Sequence, residues 1–392
     1  MMRQPYGLDS QSSDLFAQAV ALSDGPLVRN AAATDQQAKF PEENVAAIAG
    51  AGLHGLTVAR ELGGIGAGPR AFCAVTEEFA RSCASTAMIF VMHTSGTQAI
   101  ASSTVLGDRE PILRDIAAGK HLTTLALSEK GSRSQFWAPV SQLAAHGDGF
   151  VTSAAKSWVT SASFADSFVA SAQKPGAQSP LESTLYLART DAAAIRPQPG
   201  FDGLGLRGND SAPVTIEHLS IARRDLVTEP GAGATTMLQV ILPWFAIGTA
   251  AMAHGLCRAA VAATAAHLSA TTFEHTGTAL RDLPVLRARL AQMSVRTEAS
   301  RALLERALGE IETGTAEAPL FVLSARKSAL EAAVEVTDLA LKACGGAAFS
   351  RQIRGISIER LFRDARAGWV MAPTVDHLDD FIGKALTGLP LF

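Results

Sequence analysis

Residues 203–221 read GLGLRGNDSAPVTIEHLSI, and the fold turns on how the three glycines are understood. Gly203, Gly205 and Gly208 have the G-x-G-x-x-G spacing of a dinucleotide-binding turn. Such a turn needs a strand before it and a helix after it, because the pyrophosphate sits on the helix N-terminus. Here the following residues, Ser211 to Ile221, alternate apolar and polar side chains with the period of two that marks a strand. The stretch reads as a turn between strands, which argues against a doubly wound nucleotide fold.

The flanks agree. On the N-terminal side, residues 149–173 (GFVTSAAKSWVTSASFADSFVASAQ) and 183–190 (STLYLART) are short runs rich in Val, Thr and aromatics, separated by turn residues. Residues 121–231 therefore form one β-rich zone, an antiparallel barrel or sandwich. Residues 1–120 carry apolar side chains at helical spacing, in FPEENVAAIAGAGLHGL (40–56) and AFCAVTEEFARSCASTAMIFVMHTSGTQAIASS (71–103), divided by the loop ELGGIGAGPR (61–70). Residues 232–392 return to helices. Leu286, Leu290, Met293, Leu304 and Ile311 fall near one face of a long run, and a second long run ends at Gly345–Gly346, a usual helix stop. The expectation is a mainly α protein with a central antiparallel β domain: a helical domain (1–120), a β domain (121–231) and a C-terminal helical bundle (232–392).

Composition narrows the function. A chain of 392 residues can build two or three domains with a large core. Apolar residues make up 47 %, but no run approaches the length of a membrane span. Net charge is −3 with no long basic tract, which disfavours nucleic acid as the main partner. Cys73, Cys83, Cys257 and Cys344 are far apart and form no C-x-x-C pair, so neither structural zinc nor a disulfide framework is expected and a reducing cytoplasm fits. The first residues, MMRQPYGLDSQSSDLF, lack the basic-then-apolar pattern of a signal peptide. No G-x-S-x-G elbow is present, and DHLDD (376–380) places only one histidine among carboxylates, a poor metal set.

Near the C-terminus, residues 360–381 read RLFRDARAGWVMAPTVDHLDDF. Proline lacks an N–H and disfavours helix in the residue before it, so a helix should break at Ala372–Pro373 and resume at Asp376.

Five stretches occur in order: LALSEKGSRS (125–134), KSWVTSASFAD (156–166), GLGLRGNDS (203–211), ACGGAAF (343–349) and IERLFRDAR (358–366). Together they give the chain a resemblance to the acyl-CoA dehydrogenase superfamily over nearly its whole length. The resemblance implies a helical domain, a β-barrel and a C-terminal four-helix bundle. It also implies FAD, an acyl-CoA or related thioester substrate, and a homodimer or homotetramer. A reduced flavin spreads negative charge over its pyrimidine edge, so its site must offer hydrogen bonds there and an apolar shelf on one ring face. By that likeness Leu127 and Ser128 meet the pyrimidine edge and Ser134 lies near the cofactor phosphate. Trp158 packs beside the ring system, Thr160 reaches N5, and Thr374 falls in the loop near the cofactor. Gly345 and Gly346 match the double glycine at the adenine end. Lys342 stands where glutamine is usual, and no arginine occupies the expected place in ATTFEHTGTAL (270–280).

The likeness breaks at the reaction itself. Members dehydrogenate by removing an α-proton of the thioester with a glutamate, while the flavin takes the β-hydride. Counted from Arg363-Asp364-Ala365, that glutamate falls on Ala372; the base position of a minority branch, on the first bundle helix, falls on Phe245 when aligned through Gly255. A positioned base is worth roughly 10²–10⁴ in rate, and neither side chain can replace it. Ala372 keeps its backbone N–H, the family's oxyanion donor, so a carbonyl could still be polarised. That combination suits branches in which reduced flavin reacts with O2, as a mono- or dioxygenase does. Candidates for a relocated base are His93, on an apolar helical run, and Asp376 and His377 just past the break. The bland readings are a satisfied core histidine for His93 and a helix cap for Asp376. A flavin-dependent oxygenase is therefore the leading expectation; a dehydrogenase with a relocated base and a non-catalytic homologue are the alternatives.

Overall fold

The computed structural model describes residues 5–133, 135–350 and 357–390. Residues 10–117 form α1 (Ser10–Leu22), α2 (Val28–Gln36), α3 (Glu42–Gly50), α4 (Pro69–Ser82), α5 (Ala84–Ser102) and α6 (Arg109–Ala117). Helix α4 starts with proline at its first position, where the missing N–H is not needed. Helix α5 is apolar or small nearly all round and is buried from Ala84 to Thr97. It is the core helix of this zone, as its lack of a polar face requires.

The β zone contains β1 (Thr123–Ala126), β2 (Ala144–His146), β3 (Gly149–Val159), β4 (Ser167–Gln173), β5 (Ser183–Arg189), β6 (Ile195–Pro197) and β7 (Ala212–Ile221). They form two sheets, ordered β1-β4-β5 and β2-β3-β7-β6. One feature corrects the antiparallel expectation: β1 pairs with β4 in parallel. Between these strands the chain crosses to the other sheet to make β2 and β3, and so re-enters beside β1 in the same direction. Phe168, Ala170 and Tyr186 of the first sheet share a core with Phe150, Val159, Val214 and Ile216 of the second.

The last zone opens with α7 (Gly233–Thr236), a π-turn at Met237–Ile241, and α8 (Leu242–Ala270). It continues with α9 (Pro284–Thr313), α10 (Ala318–Cys344), α11 (Gly346–Phe349), α12 (Ile358–Val370) and α13 (Val375–Thr387). The continuous helix Gly233–Ala270 is long and apolar enough to cross a membrane by length and composition, which the sequence reading missed. Yet 78 % of its apolar window is buried inside the protein, against α4, α9 and α10, as the centre of the bundle. The break falls as expected: α12 ends at Val370, the Ala372–Pro373 bond is cis, and α13 starts at Val375.

The glycine turn ties the three zones together. A Cβ on Gly205 would lie 2.4 Å from the Arg363 carbonyl oxygen, and one on Gly208 would lie 2.7 Å from that of Lys39. These glycines therefore permit backbone to touch backbone across domains. Arg363 donates to both carboxylate oxygens of Asp35, at 2.8 and 2.6 Å, and to the Leu204 carbonyl at 3.1 Å. The Leu206 N–H donates to Asp364 at 2.7 Å. The Arg-Asp pair of IERLFRDAR thus locks the turn against α12 and α2.

Candidate active site

Where the three zones meet lies a cavity of about 640 Å³. Its wall is assembled from helical faces and strand ends. Helix α5 contributes Met88 and Met92, one turn apart. The residues after β1 contribute Leu127, Ser128, Glu129 and Phe136, and the end of β3 contributes Trp158 and Thr160. Asn209 and Ser211 come from the glycine turn. Ile241, at the π-turn, and Phe245 face it from the start of the long helix; Arg366, Val370, Met371 and Ala372 close it.

Trp158 owes its place to a β-bulge. The β3–β7 register shifts between Lys156 and Val159, and Trp158 has φ +56°, rare for a bulky residue. The bulge turns the indole out of the sheet, 68 % exposed on the cavity rim, with the Phe201 ring edge-on at 6.5 Å. Thr160, by contrast, is buried and its hydroxyl meets that of Ser211 at 3.0 Å.

Polar capacity on this wall is left over. The Ser128 hydroxyl and Asn209 Nδ2 have no partner among the described residues, and the Thr160–Ser211 pair has one hydroxyl hydrogen to spare. The Ala372 N–H likewise donates to nothing described. An exposed flat ring beside a few unpaired hydrogen-bonding groups, in a mainly apolar cavity, fits a flat heteroaromatic ligand with a polar edge, such as a flavin.

Glu129 is the sole carboxylate among the described lining residues. Its Oε1 accepts from Lys156 Nζ at 2.6 Å, and its Oε2 from the N–H groups of Val140 and Ser141 at 2.6 and 2.7 Å. The Ser141 hydroxyl donates as well. Burial opposes the charge, but the Lys156 ammonium and these donors outweigh it and hold the carboxyl below its ordinary pKa. Saturated with donors, Glu129 is unfit to accept a proton from a substrate.

Of the other residues singled out from the sequence, His93 is 1 % exposed and absent from the cavity wall. Met88 and Met92 take the cavity-facing stripe of α5, and the next residue is rotated by about 100°. His93 Nε2 lies 3.2 Å from the His54 carbonyl oxygen, and its Nδ1 accepts from the Thr123 N–H at 3.2 Å. Burial and the neighbouring His54 push its pKa well below the usual histidine value. It is a neutral core histidine, with both nitrogens engaged. Asp376 is exposed in the first turn of α13, where an acid suits the helix dipole; the cap position itself belongs to Thr374. His377 Nδ1 lies 2.9 Å from the Thr374 hydroxyl. Neither Thr374, Asp376 nor His377 lines the cavity. Lys342 pairs with Asp338 at 2.6 Å on the exterior of α10, beside exposed Gly345 and Gly346; all three are outside the cavity. Gly345 has φ +58°, and a Cβ there would meet nothing nearby, so backbone conformation rather than space explains it. Ser134 lies outside the described residues. The structure thus gathers Leu127, Ser128, Trp158, Thr160, Phe245 and Ala372 into one wall.

Arg326 went unread. Its guanidinium is fully buried behind the wall, donating to the Pro373 carbonyl at 2.7 Å, the Met371 carbonyl at 3.2 Å and the Thr249 hydroxyl at 3.2 Å. It lies 4.9 Å from the Phe245 ring centroid. The available signal was an arginine on the stripe Val322, Ala325, Ala329, Ala333 and Val336, which is otherwise apolar and buried.

Comparison with known proteins bears on the whole assembly. Residues 12–120 match the family model "Acyl-CoA dehydrogenase, N-terminal domain", and residues 231–386 match "Acyl-CoA dehydrogenase, C-terminal domain". The chain is 25 % identical over 364 residues to the probable acyl-CoA dehydrogenase FadE25 of Mycobacterium tuberculosis, covering 92 % of this chain and 91 % of that protein. It is 29 % identical over 349 residues to the mitochondrial short-chain specific acyl-CoA dehydrogenase of Bos taurus, covering 86 % and 80 %. The solved butyryl-CoA dehydrogenase of Megasphaera elsdenii superposes with a TM-score of 0.91 at 19 % identity, over 97 % of this chain and 99 % of that one.

Proposed function

The chain belongs to the acyl-CoA dehydrogenase family, and from that premise we propose that it is an FAD-dependent oxidoreductase acting on an acyl-CoA or related acyl thioester, by oxygenation rather than α,β-desaturation. The observation that carries the second half is the wall around Ala372 and Phe245. No described side chain there can take a proton: Glu129 is spent on Lys156, and the other charged lining groups are Lys130, Arg133 and Arg366.

The residues that would hold the flavin are Leu127 and Ser128 at its pyrimidine edge, Trp158 against its ring system, and Thr160 with Ser211 near its reactive side. When bound, a flavin supplies hydride acceptance and, once reduced, reaction with O2. The chain's own part is to bind, orient and exclude water. Met88, Met92, Ile241, Phe245 and Val370 make an apolar lining, and the Ala372 N–H offers a donor to the thioester oxygen. Lys342, Gly345 and Gly346 stand exposed at the far end of α10, where a second subunit of a homodimer or homotetramer would complete the adenine end of the site.

Anaerobic mixing of the yellow protein with saturated acyl-CoAs, and ¹⁸O2 labelling of turnover products, test this reading. Oxygenation predicts no bleaching by the saturated thioester alone and, once the flavin has been reduced by an added electron donor and O2 admitted, label in the product. Rapid bleaching with unlabelled product establishes desaturation, the second reading, which the dehydrogenase relatives favour. A colourless protein that refuses FAD refutes both.

A further inference from the structure

We propose that Arg326 is a positioning residue that builds an oxyanion site around Ala372 and places a buried positive charge directly behind it. The inference rests on the thioester reading above and identifies how the substrate carbonyl is held.

The geometry begins with two carbonyls. Arg326 accepts no counter-ion: it forms no ion pair among the described residues, and its donors go instead to Met371 and Pro373, on either side of Ala372, and to Thr249. The Met371–Ala372 amide is trans, so its N–H points opposite to its C=O. With the Met371 carbonyl drawn back onto Arg326, the Ala372 N–H is directed away from Arg326, and Ala372 forms part of the cavity wall. That N–H has no described acceptor. One buried side chain therefore fixes the loop from behind and aims its free donor forward.

The charge adds to this. Burial lowers the guanidinium pKa to about 9, which still leaves it protonated at neutral pH. A buried, unpaired cation is costly and is retained only where something offsets it. Here the offsets are two carbonyl dipoles, one hydroxyl and the ring of Phe245, a residue that also lines the cavity. Negative charge developing on a thioester oxygen at Ala372 would complete the compensation, through a low-dielectric wall where the attraction is strong. Such a site polarises the carbonyl without any carboxylate at residue 372.

The test uses the flavin-loaded protein and acetoacetyl-CoA, a thioester that ionises to an enolate with its own near-ultraviolet absorbance. Bound to wild type, its ionisation constant should rise on the order of a hundredfold over the free compound. Arg326→Gln, which keeps hydrogen-bond donors but no charge, should lose most of that gain with flavin content unchanged; Arg326→Lys should recover part of it. Glu129, Lys130, Arg133 and Arg366, the charged groups on the described wall, are common to all three proteins. Wild type that binds acetoacetyl-CoA without raising its ionisation overturns the inference and leaves the thioester reading standing. So does full retention of the gain in Arg326→Gln. If neither variant folds, the wild-type measurement still tests the inference, because an unraised ionisation overturns it. Wild type that does not bind the compound refutes the thioester reading and this inference with it.

Discussion

Lys156 Nζ sits 2.6 Å from Glu129 Oε1, with both side chains sealed from solvent. The pair joins the segment after β1, where Glu129 lines the cavity, to β3. It holds the strand that carries Trp158, and it withdraws the one described lining carboxylate from chemistry.

Breaking that pair should cost more than removing it. Glu129→Gln or Lys156→Met alone leaves the partner buried without its counter-charge, at about 3–5 kcal/mol each. The double variant should cost clearly less than the sum of the two. Urea denaturation of all four proteins checks this, and simple additivity would refute a buried, mutually dependent pair. Folded Glu129→Gln should still turn over, since the carboxylate is not the base.

Ala372→Glu restores a carboxylate to the loop that Arg326 clamps. Desaturation should then appear, with anaerobic flavin bleaching by a saturated acyl-CoA faster by roughly 10²–10⁴. Stopped-flow absorbance reads it directly. An unchanged bleaching rate in a folded, yellow variant would mean that residue 372 does not face the α-carbon.

Trp158→Ala removes an indole that the protein itself barely covers. The apo-protein should melt within about 2 °C of wild type, whereas FAD affinity should fall roughly tenfold through lost ring contact. Titration with FAD and thermal unfolding separate the two effects. A large drop in apo-protein stability with unchanged FAD affinity would instead make Trp158 a structural residue.

Asp364 gives the chain a pH-dependent joint. Burial raises its carboxyl from 3.8 to about 6, against the Leu206 N–H and the nearby arginines, which pull it down. The folded state therefore keeps this proton longer than the unfolded state. The stabilisation it brings is full below the unfolded value and is lost as pH rises through about 6. Asp364→Asn keeps an oxygen for the Leu206 N–H but has no charge to bury. Relative to wild type it should gain stability as pH goes from about 4 to about 7, by at most roughly 3 kcal/mol. Guanidinium melts at several pH values measure the difference; a flat difference would show that Asp364 titrates normally.

Much of this molecule could be read without coordinates. The alternation after Gly208 identified β7 and dismissed the nucleotide fingerprint. The proline at 373 marked the break between α12 and α13. The count from Arg363 put Ala372, and alignment through Gly255 put Phe245, where bases belong; both line the cavity. What escaped was direction and partnership. Nothing local shows that Met92 rather than His93 faces the cavity, or that β1 runs parallel to β4. The Arg-Asp of IERLFRDAR was legible as a motif but not as the clasp on Asp35 and Leu206, which stand 328 and 158 residues away in sequence.

By itself the sequence determined the order of elements, the helix break and the absence of a carboxylate at residue 372, because periodicity, proline stereochemistry and residue identity act over a few neighbouring positions. Only the tertiary structure decided that Glu129 is neutralised, that His93 is turned into the core, and that Arg326 arrives from α10 to hold the carbonyls flanking Ala372. Those outcomes depend on which donors and acceptors packing brings within 3 Å or so of one another, and that is a property of the assembled core rather than of any stretch of chain.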